Sequence, residues 1–182
     1  MHEIRPIILL TGAPRSGKTT MVARLADTFR RDIDGFITIE VRHEGRRIGF
    51  DVLDLVTHEF LPLARKEWHD APYRVGSYGV RCDGLEIVIK RMTERRIIAP
   101  RLWIIDELGK MEAYSKRFLE WLNRTLTVPG VHALLTSGLR PHPAYHPLLE
   151  RLHPDVIVLE PDRRESVEQF LRHRLAPLFI DH

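Results

Sequence analysis

Cysteine is nearly absent: Cys82 is the single one in 182 residues. A lone thiol excludes an internal disulfide and a cysteine-ligated zinc site, and it fits a reducing interior, with the cytoplasm the expected compartment. Long apolar runs are missing as well. The polar start Met1-His2-Glu3-Ile4-Arg5-Pro6 leads into only four apolar residues, Ile7 to Leu10. That is far short of the ~7–15 of a signal-peptide core or the ~20 of a membrane span, so no membrane association is expected. Repeats, low-complexity stretches and linkers are lacking, and the twelve prolines are scattered, so residues 1–182 are expected to form a single domain. Lysine is scarce: 23 of the 28 basic residues are arginine, spread from Arg5 to Arg174 among 25 acids for a net charge of +3. A nucleic-acid-binding domain concentrates its basic charge on one face or in one run. Nucleic acid therefore stays open as a partner but is not favoured.

What is present is an alternation of two periods. Short apolar runs bounded by turn residues, Ile7–Thr11, Leu102–Ile105, Val131–Thr136 and Val156–Leu159, read as strands buried on both faces of a parallel sheet. Helical periodicity lies between them. The first helix opens at a glycine loop and runs to about Arg31, burying Met21, Val22, Leu25, Ala26 and Phe29. Asp83 with Glu86 three residues on predicts a capping box for a second. A third begins near Ser115 and buries Phe118, Leu119, Leu122 and Leu126, and a fourth begins at Asp162 with Glu165 three on and buries Val167, Phe170 and Leu171. Alternating strands and helices predict an α/β layered fold with right-handed crossovers. Phe36–Arg42, a Glu44-Gly45 turn and Arg47–Leu53 read as an inserted antiparallel β-hairpin toward one edge of the sheet, continued by Glu59–Leu63.

Three elements carry chemistry. Gly12-Ala13-Pro14-Arg15-Ser16-Gly17-Lys18-Thr19 fits G-x-x-x-x-G-K-[ST] directly after a strand and at the start of a helix, the context required of a phosphate-binding loop. Backbone N–H groups from Gly12 to Thr20 and the positive helix end would surround phosphates, Lys18 would reach the β- and γ-phosphates, and the Thr19 hydroxyl would ligate Mg²⁺. The strand Leu102-Trp-Ile-Ile ends in Asp106-Glu107. Asp106 suits a Mg²⁺ ligand and Glu107 a base that deprotonates water. The third element, Thr136-Ser137-Gly138-Leu139-Arg140, places hydroxyls where phosphate loss is sensed, or else simply begins a turn. His142-Pro143-Ala144-Tyr145-His146 invites a metal reading, but the flanking prolines argue against a helical histidine pair. Cys82 reads as a small buried residue, with mild acidification at a helix start as the alternative.

The chain resembles the nucleoside-triphosphatases first described from thermophiles, whose vertebrate relative is called cancer-related nucleoside-triphosphatase. Beyond the phosphate loop, the resemblance rests on Gly35-Phe36 with Glu40-Val41-Arg42, on Arg46-Arg47-Ile48-Gly49-Phe50-Asp51, on Arg74-Val75-Gly76 with Tyr78, and on Asp106-Glu107-Leu108-Gly109-Lys110-Met111-Glu112. It implies a three-layer α/β/α, RecA-like P-loop fold with a mostly parallel sheet. It also implies slow, Mg²⁺-dependent hydrolysis of ATP, GTP and other NTPs to NDP and phosphate, with Gly109 and Lys110 at the nucleotide. Glu112 would share that site or salt-link its loop, Arg42 and Arg47 would face the cleft or form a cross-strand charge network, and Arg74 would face the cleft. Two positions depart from the family. Arg15 stands where the loop usually has glycine, and reads either as a catalytic arginine acting in cis or as a solvated side chain. After the last strand only Arg164 keeps its family counterpart, which puts base preference in doubt. Arg24, Arg95, Arg117 and Arg172 read as a solvated, acid-balanced surface. Two other functions stay open at this level: a nucleotide or small-molecule kinase with Gly138 to Arg151 as its lid, and a nucleotide-gated nucleic-acid-binding module.

Overall fold

The computed structural model describes residues 7–95 and 101–180. The polar Met1–Pro6 segment weighed above lies outside the described residues. Among the latter, nine strands form one sheet: β1 (Ile7–Thr11), β2 (Ile33–His43), β3 (Arg46–Asp54), β4 (Phe60–Arg65), β5 (Tyr73–Val75), β6 (Tyr78–Val80), β7 (Leu102–Asp106), β8 (Ala133–Ser137) and β9 (Asp155–Val158). Their order is β5-β6-β4-β3-β2-β7-β8-β1-β9. From β2 to β9 every neighbouring pair is parallel, and from β2 to β5 every pair is antiparallel.

Five helices cover the sheet: α1 (Lys18–Thr28), α2 (Asp83–Glu94), α3 (Lys116–Leu126), α4 (His146–Leu152) and α5 (Arg164–Leu175). Because side chains alternate along a strand, Ile7 and Leu9 of β1 and Trp103 and Ile105 of β7 pack with α2, α3 and α4. Ile8, Leu10, Leu102 and Ile104 pack on the opposite face with α1 and α5. The result is the three-layer α/β/α arrangement expected from the resemblance. No helix among the described residues is long and apolar enough to cross a membrane.

The antiparallel wing is larger than one hairpin. β2 is itself the hinge between the two halves: Ile33–Ile37 pairs with β7, ending at Ile37↔Asp106, and the rest of the strand runs on past the carboxyl edge as the first arm of the hairpin. β5 and β6 are three residues each, too short to show a period.

Helix starts also differ from expectation. Cys82, not Asp83, is the N-cap of α2, and no side chain caps that helix. Glu86 instead accepts a hydrogen bond from Ser115 Oγ at 3.1 Å, while Ser115 caps α3 by accepting from the Phe118 N–H. α5 begins at Arg164 behind a 3-10 turn over Pro161–Arg163, again without a side-chain cap. Phe170 is half exposed rather than buried, with the Arg174 guanidinium 5.9 Å from its ring centroid. α4 was not foreseen: Pro147 at its first turn is tolerated because that N–H needs no helical partner.

One arginine reading changes. Arg95 is no solvated surface residue, for it donates to both Asp34 and Asp54, each buried, at 2.7–3.2 Å. It ties α2 to β2 and β3. Arg42 pairs with Glu40 along β2 at 2.6 Å, Arg47 of β3 pairs with the same carboxylate across the hairpin at 2.7 Å, and Arg47 Nε donates to Tyr78 Oη at 2.9 Å. Glu40, Arg42, Arg47 and Tyr78 thus form the hairpin charge network that was one of the two readings of these arginines.

Candidate active site

The carboxyl ends of β1, β7, β8 and β9 lie along one edge of the sheet, and ligands bind there in open α/β folds. β1 leads into the loop Gly12–Gly17, whose last residue is the left-handed N-cap of α1 (φ 101°). Glycine is needed at both ends of this loop. At Gly17 the φ of 101° is one that other residues rarely adopt, and at Gly12 a Cβ would stand 2.6 Å from Ser16 Oγ and 2.8 Å from the Leu159 carbonyl. Ser16 is buried, and its hydroxyl has no hydrogen-bond partner among the described residues. An orphaned buried hydroxyl in a loop at a helix N-terminus suits a polar ligand that completes it.

Lys18 folds back on its own loop, donating from Nζ to the carbonyls of Gly12 (2.9 Å) and Ala13 (3.0 Å). Arg164, the first residue of α5, closes the loop from the other side, donating from Nε to the Ser16 carbonyl at 2.6 Å and from Nη2 to the Arg15 carbonyl at 3.2 Å. Arg15 itself has φ 66°, the left-handed region that glycine occupies at little cost. Its side chain is exposed.

β8 lies between β1 and β7, yet the phosphate loop and the acid strand meet across it. Thr19 Oγ1 donates to Asp106 Oδ2 at 3.0 Å, and Thr136 Oγ1 of β8 donates to Asp106 Oδ1 at 2.5 Å. Thr136 is therefore committed to the acid, and Ser137 Oγ donates to the Gly138 carbonyl. Asp106 is 1% exposed. Burial pushes its carboxyl up to about 6, with the neighbouring Glu107 charge adding to that and the Thr136 and Thr19 hydroxyls opposing it. A carboxylate that loses its hydration in this way gains from a hard cation, and the Thr19 hydroxyl beside it completes an oxygen donor pair of the type Mg²⁺ takes.

Glu107 follows at the strand end. Burial raises its pKa and the Lys18 charge lowers it. A third acid, Glu112, lies beneath, 3% exposed, its carboxyl pushed up to about 8 by burial and by the Glu107 charge. It forms no salt link among the described residues. The Thr38 hydroxyl lies within hydrogen-bond distance of both the Asp106 carbonyl (3.0 Å) and Glu112 Oε1 (3.1 Å). Gly109 fits between the acids: a Cβ there would stand 2.6 Å from Glu112 Oε2 and 3.2 Å from Glu107 Cγ. Its carbonyl accepts from Tyr145 Oη at 2.9 Å.

The structure thus brings Gly12, Gly17, Lys18, Thr19, Asp106, Glu107 and Arg164 into one site. Ala13 and Pro14 in the loop and Thr20 in the first turn of α1 are exposed. Lys110 lies in the loop beyond Glu107. Thr38 and Tyr145 were missed, because a threonine in a strand and a tyrosine between prolines carry no motif. Cys82 is half-buried, and burial pushes its thiol up to about 11, with nearby acids adding to that, so it is not acidified. His142 Nδ1 accepts from the Ala144 N–H, and His146 Nε2 bonds the Pro141 carbonyl.

A family model described as NTPase matches residues 7–171. The nucleoside-triphosphatase THEP1 of Natranaerobius thermophilus is 33% identical over 92% of this chain and 95% of its own. The cancer-related nucleoside-triphosphatase homolog of Mus musculus is 34% identical over 90% and 86%. Among solved structures, THEP1 from Aquifex aeolicus superposes with a TM-score of 0.76 at 28% identity, covering 93% of this chain and 98% of that one. The human cancer-related nucleoside triphosphatase does so with a TM-score of 0.73 at 30% identity, over 91% and 95%. With a matching model from β1 into α5 and relatives of this extent, the chain belongs to the NTPase family.

Proposed function

We propose that the protein is a nucleoside-triphosphatase that hydrolyses ATP, GTP and other NTPs to NDP and phosphate with Mg²⁺, and that Glu107 activates the attacking water. The observation that carries this reading is the meeting of Thr19, Thr136 and Asp106 beside Glu107, one residue away from the strand end and within the field of Lys18. The loop Gly12 to Thr20 surrounds the phosphates with backbone N–H groups, and Lys18 turns from its carbonyls onto the β- and γ-phosphate oxygens. Mg²⁺ held by Thr19 and Asp106 would neutralise charge between the β- and γ-phosphates. Glu107, half-buried and in no salt bridge among the described residues, accepts a proton from water as it attacks the γ-phosphorus. Arg15, exposed in the loop and in no side-chain ion pair among the described residues, would add charge at the γ-phosphate in cis.

The test is a panel of NTPs with Mg²⁺ and detection of released phosphate, run on the wild type and on Glu107→Gln. The expected outcome is phosphate from every NTP, and a variant that still binds MgATP but turns over at least ~10²-fold more slowly, the scale of general-base catalysis. Full activity in the variant removes Glu107 from the mechanism.

A further inference from the structure

A second space opens beyond Glu107, between the loops that leave β7 and β8. It measures about 660 Å³ and is lined by Glu107, Lys110, Leu139, Arg140, Pro141 and His142 among others, with no residue of the phosphate loop. Small-molecule sites span roughly 300–1,000 Å³, whereas one water takes up about 30 Å³, so this space is oversized for a water nucleophile alone. Its walls divide by chemistry. Leu139, 59% exposed, and the prolines are apolar. Lys110 and Arg140 are exposed cations without a carboxylate partner among the described residues, in a chain whose Arg24, Arg47, Arg65, Arg91, Arg95 and Arg172 each meet one. The cleft is also pre-formed. Tyr145, fully buried, ties the Arg140 loop to the Glu107 loop through the Gly109 carbonyl, and His146 braces Pro141.

We propose that this cleft is an acceptor site for a small phosphomonoester carrying a free hydroxyl, which makes the protein a phosphotransferase as well as a hydrolase. The proposal rests on the reading of Glu107 as base and of the Gly12–Thr20 loop as the triphosphate site. The acceptor's phosphate lies on Lys110 and Arg140, its carbon skeleton rests against Leu139 and the prolines, and its hydroxyl points at Glu107. In the transfer step the acceptor oxygen forms a bond to the γ-phosphorus as the bond between that phosphorus and the β,γ-bridging oxygen breaks. The hydroxyl proton passes to Glu107, and the nucleoside diphosphate leaves. Water filling the same place gives hydrolysis.

The experiment uses γ-labelled ATP and Mg²⁺ with glycerol 3-phosphate, ribose 5-phosphate or adenosine 3′-monophosphate, and separates free phosphate from doubly phosphorylated product. The expected result is labelled product with at least one acceptor. Arg140→Gln, at an exposed position that the fold does not need, should lower the ratio of product to free phosphate at least ~10-fold, the scale of one charge-assisted hydrogen bond. Free phosphate alone with every acceptor, or an unchanged ratio in the variant, overturns the acceptor site and leaves the hydrolase standing. Transfer without hydrolysis in the absence of acceptor supports the site and overturns the hydrolase reading. Neither product overturns both.

Discussion

Arg164 and Ser16 lie 148 residues apart in the chain, yet Arg164 Nε donates to the Ser16 carbonyl at 2.6 Å. The first residue of the last helix thereby holds the phosphate loop closed from outside, and Nη2 extends the hold to the Arg15 carbonyl. The guanidinium also packs on Gly17, where a Cβ would come within 3.1 Å of Nε. A planar, two-pronged donor fits this job, and an ammonium does not replace it.

Arg164→Ala is expected to loosen the loop before it harms the chemistry. Bonds from a charged donor are worth about 1.5–3 kcal/mol each when buried, and partial exposure discounts that here. KM for ATP should rise about 10-fold with kcat within about threefold, and Arg164→Lys should recover only part of the loss. Steady-state phosphate-release kinetics decide; an unchanged KM would show that the loop holds its shape without the clamp.

Gly109→Ala tests the packing between the acids. The backbone there tolerates alanine, since Gly109 has no positive φ, so any defect comes from the Cβ pressing on Glu112 Oε2 and Glu107 Cγ. Glu112 is buried and bonded to Thr38, which leaves Glu107 to move. Displacing a catalytic group by about 1 Å costs on the order of 10²-fold in rate. The expected outcome is a kcat lowered 10- to 100-fold with Tm reduced by only a few degrees, measured on the same preparation.

Much of this site was legible in the sequence, for a physical reason. A phosphate loop needs glycines at fixed spacing, and an acid at a strand end next to it needs an apolar run before it, so Gly12–Thr19 and Asp106-Glu107 announce themselves locally. Ile7–Thr11 was read to the residue because a strand buried on both faces is apolar throughout. What stayed hidden depends on the third dimension. The pairing of Thr136 with Asp106 follows from β8 lying between β1 and β7, a strand order no local pattern encodes. Arg95 reads as a polar helix residue until Asp34 and Asp54, 61 and 41 residues away, turn out to face it. The start of α5 was misplaced because Asp162 and Glu165 have capping-box spacing, while the 3-10 turn over Pro161–Arg163 delays the helix.

The Asp106 and Glu112 carboxyls should make the unliganded protein less stable as pH rises from about 4.5 to 8. Asp106 and Glu112 have folded-state pKa values raised to about 6 and about 8, from ordinary values of 3.8 and 4.5. Between the unfolded and folded values the native state holds more protons than the unfolded chain, so raising pH favours unfolding. The Glu112 part spans about pH 4.5 to 8, and each unit is worth at most ~1.4 kcal/mol. Glu112→Gln, which cannot ionise, should match the wild type near pH 4.5 and exceed it progressively toward pH 8. Denaturant unfolding across that range provides the measurement, and parallel curves for the two proteins would show that Glu112 is already ionised when folded.

Arg15 allows backbone and side chain to be separated in one substitution. At φ 66° an arginine backbone is strained by about 1 kcal/mol or more relative to glycine, and glycine returns part of that through greater freedom when unfolded. Arg15→Gly should therefore leave the protein as stable as the wild type or up to about 1 kcal/mol more so. If the side chain supplies charge to the transition state, kcat should nevertheless fall, by 10-fold at the least and toward 10³-fold if it acts as an arginine finger does, with MgATP affinity changed less than kcat. A stable variant with undiminished kcat would remove Arg15 from catalysis, leaving Lys18 as the loop's cation at the γ-phosphate. A lowered kcat accompanied by a lowered Tm would instead place the residue's role in the loop's shape. Thermal unfolding and single-turnover kinetics on the same variant separate these outcomes.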